Sequence, residues 1–449
     1  MSGCAAELAA AIAAGLPRAA GGLVVALSGG ADSACLLAAA HAHVRARAGE
    51  AAPPLRALHV DHGLQSAAAG FRAACAALAA RFAVPLTVLE APVGLERGES
   101  VEAAAREARY AAFAAALAPG ECLLTAHHAE DQAETVLLQA LRGSGAAGLS
   151  GMPRVRRLGR GFHLRPFLGV PRAALARCAH ELSLATVVDP MNLDPRFDRV
   201  HLRREVWPLL ERRWPGAATA LGRVAQHAAG AQGLLDALAD DDLGRMRDGE
   251  ALSVPRLRTL PPPRRVNALR RFIDERGARP PPSARLIEAL RQLLEARADQ
   301  LPAVCWGEHA LRRYRDRVFL TDARPPRLQS VHRWSLERSE ALELGEGLGR
   351  LRLAPSARGL ALERLPRTLE VRARRGGERL RVAPQGRTQS VQHLCQAEGL
   401  FPWMRAALPF VHAGGRLVAV GDRWSAAEDC AGPGERGWEI LWEDAPALS

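Results

Sequence analysis

The sequence predicts an α/β fold: a parallel sheet first, then a helical middle region, then a small α/β domain. Three observations carry this. Between residues 23 and 145 short apolar runs alternate with helix-length segments, the rhythm of strands joined by helical crossovers and covered on both faces. Residues 217 to 300 read as mostly helical, punctuated by Pro261-Pro262-Pro263 and Pro280-Pro281-Pro282. From Leu369 onward valine-rich strands return around Gly376-Gly377 and Gly414-Gly415, with a helix near Thr388 to Glu398.

Taken in order, Leu23-Val24-Val25-Ala26-Leu27 is a short buried strand and Ala34 to Arg47 a helix. Leu55 to Val60 is the second strand, followed by a helix over Ser66 to Phe82. Pro85 to Glu90 is the third strand and Val101 to Leu117 the next helix. Cys122 to Ala126 is the fourth strand, and Asp131 to Leu141 a helix. The Gly/Arg-rich stretch Pro153 to Arg165 reads as a connector, and 171 to 214 as helical with a polar break at Asp189 to Arg199. A length of 449 residues accommodates about three domains. We expect residues 1–215 to form the first, 216–320 a helical second, 321–364 a linker and 365–449 the last.

Composition excludes several classes. No apolar run reaches the ~18 residues of a membrane span. Met1 to Ala20 has no basic leader and carries Glu7, so a secretory signal is not expected. The eight cysteines stand singly, without a CxxC pair, which fits a reducing cytoplasm and no disulfide framework, zinc ribbon or iron–sulfur cluster. The net charge is +12, yet every one of the 60 basic side chains is arginine. A chain without lysine has no GxxxxGK[ST] phosphate loop, no Schiff base and no nucleotidyl-lysine.

Polar clusters mark the carboxyl ends of three predicted strands, where ligands of such sheets bind. The first is Ser28-Gly29-Gly30-Ala31-Asp32-Ser33. Its glycines allow a tight turn, and its amides with the following helix N-terminus face an anion. Asp32 would repel phosphate unless a bridging Mg²⁺ reversed the sign; a glycine turn with a Ser or Asp helix cap explains the same residues without a ligand. His59-Val60-Asp61-His62-Gly63 closes the second strand. Thr125-Ala126-His127-His128-Ala129-Glu130-Asp131-Gln132-Ala133-Glu134-Thr135 closes the fourth. Glu130 and Asp131 are also ordinary helix-start residues, and adjacent histidines seldom converge on one zinc ion. Arg106 and Arg109 lie three apart on one helix and could clamp a phosphate.

These motifs resemble those of the ATP pyrophosphatases of the PP-loop superfamily, whose loop reads SGGxDS. Within it the chain resembles the tRNA(Ile)-lysidine synthetase family over nearly its whole length, most weakly at 217 to 365. The matching segments are Val60-Asp61-His62-Gly63-Leu64, Thr125 to Thr135, Arg106 to Tyr110 and Arg142-Gly143-Ser144-Gly145 continuing to Gly151-Met152. Asp189-Pro190-Met191-Asn192 to Phe197 with Arg199 and Arg203 follows, then Arg374-Arg375-Gly376-Gly377-Glu378-Arg379, Pro384 to Arg387 and Pro402-Trp403-Met404-Arg405. Glu130 stands where the family more often has aspartate, and Val200 where asparagine is usual.

The resemblance implies that ATP adenylates O2 of the wobble cytidine in the CAU anticodon of an isoleucine tRNA. The ε-amine of free L-lysine then attacks carbon 2 and expels AMP. It further implies that Ser28, Gly29, Gly30, Ala31, Asp32, Ser33, His59, Asp61, His62 and Arg106 bind ATP, with Mg²⁺ on Asp32. Asp32, Asp131 and Arg109 would be catalytic, and His127, Glu130, Arg142, Gly143 and Ser144 would position lysine or the base. Arg199, Arg203, Arg374, Arg375, Arg379 and Arg405 would contact tRNA, as would Pro153 to Arg165 and the helix Arg264 to Arg276. The general base is left open among Asp131, Glu130 and His127, as is the oligomeric state, a homodimer included. The alternative is a PP-loop tRNA thiolase, which needs a reactive cysteine or a cysteine-bound cluster.

Overall fold

The computed structural model describes residues 3–47, 53–61, 68–92, 101–187, 198–297, 300–336, 341–357 and 359–449. The chain divides into two compact units, Met1–Leu235 and Asp236–Ser449.

The first unit is an α/β layer structure. After α1 (Gly3–Gly15), β1 (Gly22–Ala26) leads into α2 (Ala31–Ala46), β2 (Leu55–Asp61) into α3 (Ala68–Arg81), and β3 (Leu86–Glu90) into α4 (Val101–Ala116). β4 (Glu121–Leu124), α5 (Ala129–Leu141) and α6 (Ala146–Leu149) follow. The expected connector at 153 to 165 is instead a hairpin of β5 (Val155–Leu158) and β6 (Gly161–Leu164). Its turn takes Gly159 at φ 51°, a conformation cheap only for glycine, so glycines read as loop composition serve a tight turn. β6 adds to β4 in parallel, and β5 returns antiparallel at the sheet edge. The order is therefore β3-β2-β1-β4-β6-β5, with β1 paired in parallel to both β2 and β4. Helices α7 (Arg172–Glu181), α8 (Asp198–His201), a π-turn over Leu202–Val206 and α9 (Trp207–Arg213) complete the region; of the expected break at Asp189 to Arg199, residues 189–197 lie outside the described residues, and Asp198 and Arg199 belong to α8.

Strand alternation sends successive side chains to opposite faces. Leu23, Val25, Cys122 and Leu124 join a core with Leu36 and Leu37 of α2 and Leu175 of α7, while Val24, Leu58 and Leu123 meet Phe113 and Leu117 on the other side. All of these except Phe113 and Leu117 are fully buried, and each such Leu or Val contributes about 1.5–3 kcal/mol.

Helix α10 (Ala217–Met246) spans the boundary between the units. The middle segment is only partly helical. Beyond β7 (Arg247–Asp248), β8 (Ala251–Ser253), α11 (Val254–Thr259), α12 (Pro262–Asp274) and α13 (Ser283–Glu295) come β9 (Ala303–Trp306), β10 (His309–Tyr314) and β11 (Arg317–Asp322). These strands form the antiparallel sheet β7-β8-β11-β10-β9 against the helices' apolar faces. Nor is 321–364 a linker. β12 (His332–Ser335), β13 (Leu342–Glu343) and β14 (Arg350–Ser356) pair with later strands, β14 running against seven residues of the last strand. Such pairing is long-range in sequence, so local composition gave no sign of it. The terminal region continues with β15 (Thr368–Arg372), β16 (Arg379–Leu380), β17 (Gln389–Ser390), α14 (Val391–Ala397), β18 (Phe410–Ala413), β19 (Arg416–Val420), β20 (Trp424–Ser425) and β21 (Gly437–Glu443). It is antiparallel β with one short helix. Among the described residues, no helix is long and apolar enough to cross a membrane.

The close approach of β6 to β4 leaves no room at Gly161, where a Cβ would fall 2.2 Å from the Glu121 carbonyl oxygen. Gly161→Ala should destabilise the N-terminal unit by about 2–3 kcal/mol, measured by urea unfolding of the full chain; an unchanged midpoint would show that the pairing is looser than described.

Candidate active site

The strand order reverses direction between β1 and β4, and this switch point opens the crevice in which doubly wound sheets bind ligands. Two polar turns face it. The turn after β1 takes Gly29 at φ 84°, a conformation that glycine adopts without strain. Ser33 locks this turn: its Oγ accepts from the Ser28 amide at 3.2 Å, donates to the Gly30 carbonyl at 2.9 Å and lies 3.1 Å from Ser28 Oγ. Gly30 caps α2 without a side-chain hydrogen bond, so no side chain screens the helix's first amides. His59 supports the turn from below. It is buried, and its Nδ1 lies 2.9 Å from the Leu27 carbonyl, which makes it a prop for the loop and not an exposed ligand. Asp61 pairs with Arg72 at 2.7 Å and borders an open cleft of about 560 Å³ with Ala69, Ala73 and Ala76. His62 lies outside the described residues.

The turn after β4 carries Thr125 to Asp131. His128 caps α5, with its amide donating to Asp131 Oδ2 at 3.1 Å. Its ring is the hub of three carboxylates. Nδ1 is 3.0 Å from Glu130 Oε2, and Nε2 is 3.4 Å from Asp131 Oδ2 and 3.9 Å from Asp32 Oδ2. Burial alone would push this imidazole down; the Glu130 hydrogen bond and the Asp131 and Asp32 charges outweigh it and hold its pKa above the ordinary value. Nδ1 is also 3.4 Å from the Asp131 amide, but a protonated ring gives its hydrogen to the nearer, charged Glu130. Asp32 is shifted upward, by burial first and also by Asp131, with His128 opposing.

His127 takes the opposite state. Its Nδ1 is 2.9 Å from Thr125 Oγ1. Burial drives its pKa down to about 3, Asp131 opposing and the Arg165, Arg106 and Arg199 guanidiniums adding to the fall. The two rings therefore diverge: His128 turns to carboxylates and His127 to a hydroxyl. Glu130 is engaged as well, accepting from the Arg172 amide at 2.9 Å, and His128 and that amide hold its pKa low against burial.

Glu134 was quoted in the motif but not singled out, and it proves central. It is 1% exposed and receives Arg203 through both oxygens, at 2.7 and 2.8 Å. Arg203 also reaches Asp131 Oδ1 at 3.0 Å, and Arg199 donates to Thr135 Oγ1 at 3.2 Å. Both arginines, expected on tRNA, are built into the face of α5. A buried acid one helical turn after Asp131 was the available signal, because burying an unpaired carboxylate is too costly.

Arg106 is exposed and stacks over Tyr110 at 5.2 Å, while Arg109 is exposed on the same helix. Arg142 pairs with Asp198 at 3.1 Å, Gly143 turns at φ 68°, and Ser144 donates to Gln139 at 2.6 Å. Arg165 is 2% exposed and donates to the Pro153 carbonyl, so this part of the 153 to 165 stretch is interior.

In the second unit Arg264 grips Asp242, Arg271 grips Asp240 and Arg276 covers Phe272 at 3.8 Å. Arg264 and Arg271 of α12 and Arg276 just beyond it, expected as candidate tRNA contacts, thus have intramolecular partners. Arg405 is also interior, with Nη2 on the Leu400 carbonyl at 3.1 Å, and it lines a small cavity with Arg374. Arg375 is exposed, and Arg379, also exposed, donates to the Thr388 carbonyl. Trp403 stacks on Phe401 at 4.8 Å and meets Tyr314 and Phe319 edge-on, so it serves packing between two sheets of this unit.

Two outcomes follow. Arg203→Met should cost about 2 kcal/mol, discounted for a guanidinium one-third exposed. Adding Glu134→Leu should recover most of that loss in thermal denaturation; additive losses would show that the pair is not what holds α9 and the π-turn to α5. The pH dependence has opposite limbs about the unfolded histidine value near 6.5. His128 keeps its proton in the native state, so its contribution is full below that value and fades as pH rises through its higher native pKa. His127 and His163 resist protonation, with native values of about 3 and about 2, so their contribution holds above 6.5 and is lost as pH falls toward those values. Urea midpoints of β1 and β4 peptides, read by pulsed hydrogen exchange, should therefore fall on both sides, and His163→Leu should flatten the acid limb.

Comparison with known proteins agrees with this geometry. Residues 4–210 match the PP-loop domain model, 252–319 the TilS substrate binding domain and 369–442 the TilS substrate C-terminal domain. The chain is similar to the tRNA(Ile)-lysidine synthase of Alkalilimnicola ehrlichii, 42% identical with 93% of each chain covered. It is also similar to that of Methylococcus capsulatus, at 39% over 93% of this chain and 95% of the relative, and that of Coxiella burnetii, at 37% over 88% and 87%. The chain belongs to the tRNA(Ile)-lysidine synthase family.

Proposed function

We propose that the chain makes lysidine on an isoleucine tRNA bearing the CAU anticodon, using ATP and free L-lysine in the cytoplasm. The observation that carries this reading is the convergence of Asp32 and Asp131 on His128, across the switch point and beside the Ser28–Ser33 turn. In the first step cytidine O2 attacks the α-phosphorus and pyrophosphate leaves. The turn's amides and the α2 N-terminus hold the phosphates, with Arg106 as a further cation. In the second step the lysine ε-nitrogen attacks carbon 2 and AMP departs with the former O2.

Magnesium fits the donors present. Asp32 is a partly exposed carboxylate beside a second one, and Mg²⁺ typically takes one or two carboxylates and completes its shell with phosphate oxygens and water. Among the described residues no set of three or more His, Cys, Asp or Glu could hold a metal ion by itself, so substrate oxygens would complete the site. Bound there, the ion would neutralise charge on the leaving pyrophosphate.

Lysine arrives as an ammonium with an unperturbed pKa near 10.4, so only about one molecule in a few thousand is neutral at pH 7. Of the three groups considered for its proton, His127 is kept neutral by burial among guanidiniums and Glu130 is engaged by His128 and Arg172. Asp131 is engaged as well, by His128 and Arg203, but it converges with Asp32 on His128 across the switch point, and it is the acceptor we favour. Its carboxylate draws the ammonium in, the neutral amine that forms beside it attacks, and the proton made acidic once the nitrogen is bonded to carbon passes to Asp131. The thiolase alternative is the less supported: among the described residues, burial raises the thiols of Cys35, Cys75 and Cys122 beneath the sheet's ligand edge to about 12, far from a thiolate nucleophile.

The test incubates the enzyme with labelled lysine, ATP and isoleucine tRNA carrying CAU, beside the same tRNA with its wobble base changed. Label should enter only the first tRNA; equal labelling of both, or none, would refute the reading. Asp32→Ala should slow turnover by roughly 10²–10³-fold. Asp131→Asn should slow single-turnover lysine transfer, and an unaltered rate from pH 6 to 9 would remove Asp131 as the proton acceptor.

A further inference from the structure

A chain of hydrogen bonds runs from the edge of the sheet into the crevice, and its direction is fixed from one end. Arg156 Nε lies 3.2 Å from His163 Nδ1. A guanidinium offers only N–H groups, so this ring nitrogen must accept. Neutral His163 then carries its hydrogen on Nε2, 2.8 Å from Thr125 Oγ1. The hydroxyl keeps its single hydrogen, and among the described residues the acceptor within reach of it is His127 Nδ1, at 2.9 Å. His127 is left with its own hydrogen on Nε2.

The backbone sets this line. Arg156 and His163 are directly paired across the β5–β6 hairpin, and His163 is paired with Leu123 across β6 and β4. The Thr125 amide donates to the Leu164 carbonyl at 3.1 Å, which places the hydroxyl within reach of both rings. His163 is fully buried and Thr125 nearly so. Tyr110 backs the chain, with Arg156 over its ring at 4.9 Å and the His163 ring 5.4 Å away. The charged groups around His127 are Arg165, Arg106 and Arg199, with Asp131 opposing; around His163 they are Arg165, Arg156 and Arg106. This surplus of guanidiniums disfavours a second proton on either ring.

We propose that Arg156, His163 and Thr125 are positioning residues that fix His127 as the Nε2–H tautomer, so that His127 meets the substrate as a hydrogen-bond donor to a phosphoryl or carbonyl oxygen. A neutral imidazole N–H can stabilise charge developing on oxygen without the penalty of burying a cation. The inference rests on the lysidine reading for the identity of that oxygen, on ATP or on cytosine, but not for the tautomer.

The experiment is a long-range proton–nitrogen spectrum of the free full-length enzyme labelled at histidine, with His127 assigned by His127→Gln. His127 should show a bare Nδ1 and a protonated Nε2. Thr125→Val should abolish that preference and lower kcat roughly three- to tenfold, the cost of one lost hydrogen bond, and Thr125→Ser should restore both. Arg156→Met, at an exposed position, should mix the tautomers even if Thr125→Val fails to fold. A rate loss already present in tRNA-dependent ATP–pyrophosphate exchange assigns the oxygen to ATP; one confined to lysine transfer assigns it to cytosine. A protonated Nδ1 on His127, or a wild-type spectrum and rate in Thr125→Val, overturns the proposal. The spectrum is recorded without substrate, so failure to form lysidine would leave this result standing.

Discussion

The parallel pairing of β1 with β4 is the constraint on which the site depends. With register Leu23 to Cys122 and Val25 to Leu124, both strands end at one level, and their loops must emerge side by side. One loop supplies amides and Asp32; the other supplies His127, His128 and Asp131. Neither is a site alone. Their proximity is secured by the apolar residues on both faces of the two strands, so the geometry of the candidate site is stabilised by ordinary core packing.

Placing carboxylates together at the mouth of an anion site carries an electrostatic cost that the protein offsets locally. Asp32, Glu130 and Asp131 share the His128 imidazolium, and Asp131 and Glu134 share Arg203. These are charge-assisted contacts in a partly desolvated setting, where they are stronger than on the surface. The carboxylates are thereby fixed in place by partners within the chain, as a preorganised site requires.

The βα order, the glycine turn and the clusters at strand ends were legible in the sequence, because period, turn chemistry and the carboxyl-end rule are local. What escaped was decided by distant partners. The Gly159 turn looked like loop composition until β6 found β4, and 332–356 looked like a linker because its strands pair with residues 368–372 and 437–443. Arginine was misleading for a similar reason. In a chain without lysine, pattern cannot separate a nucleic-acid contact from a structural fork, and Arg203, Arg264, Arg271 and Arg405 all engage partners within the chain.

The dipeptide His127-His128 sends two rings of one chemical kind to opposite surroundings, one that raises the pKa and one that lowers it, because consecutive residues in extended backbone face opposite ways. One codon gained or lost between Leu124 and Ala129 would shift both rings out of register with the Thr125 hydroxyl and the three acids. The spacing of this stretch, more than its composition, is what keeps each ring with its partners.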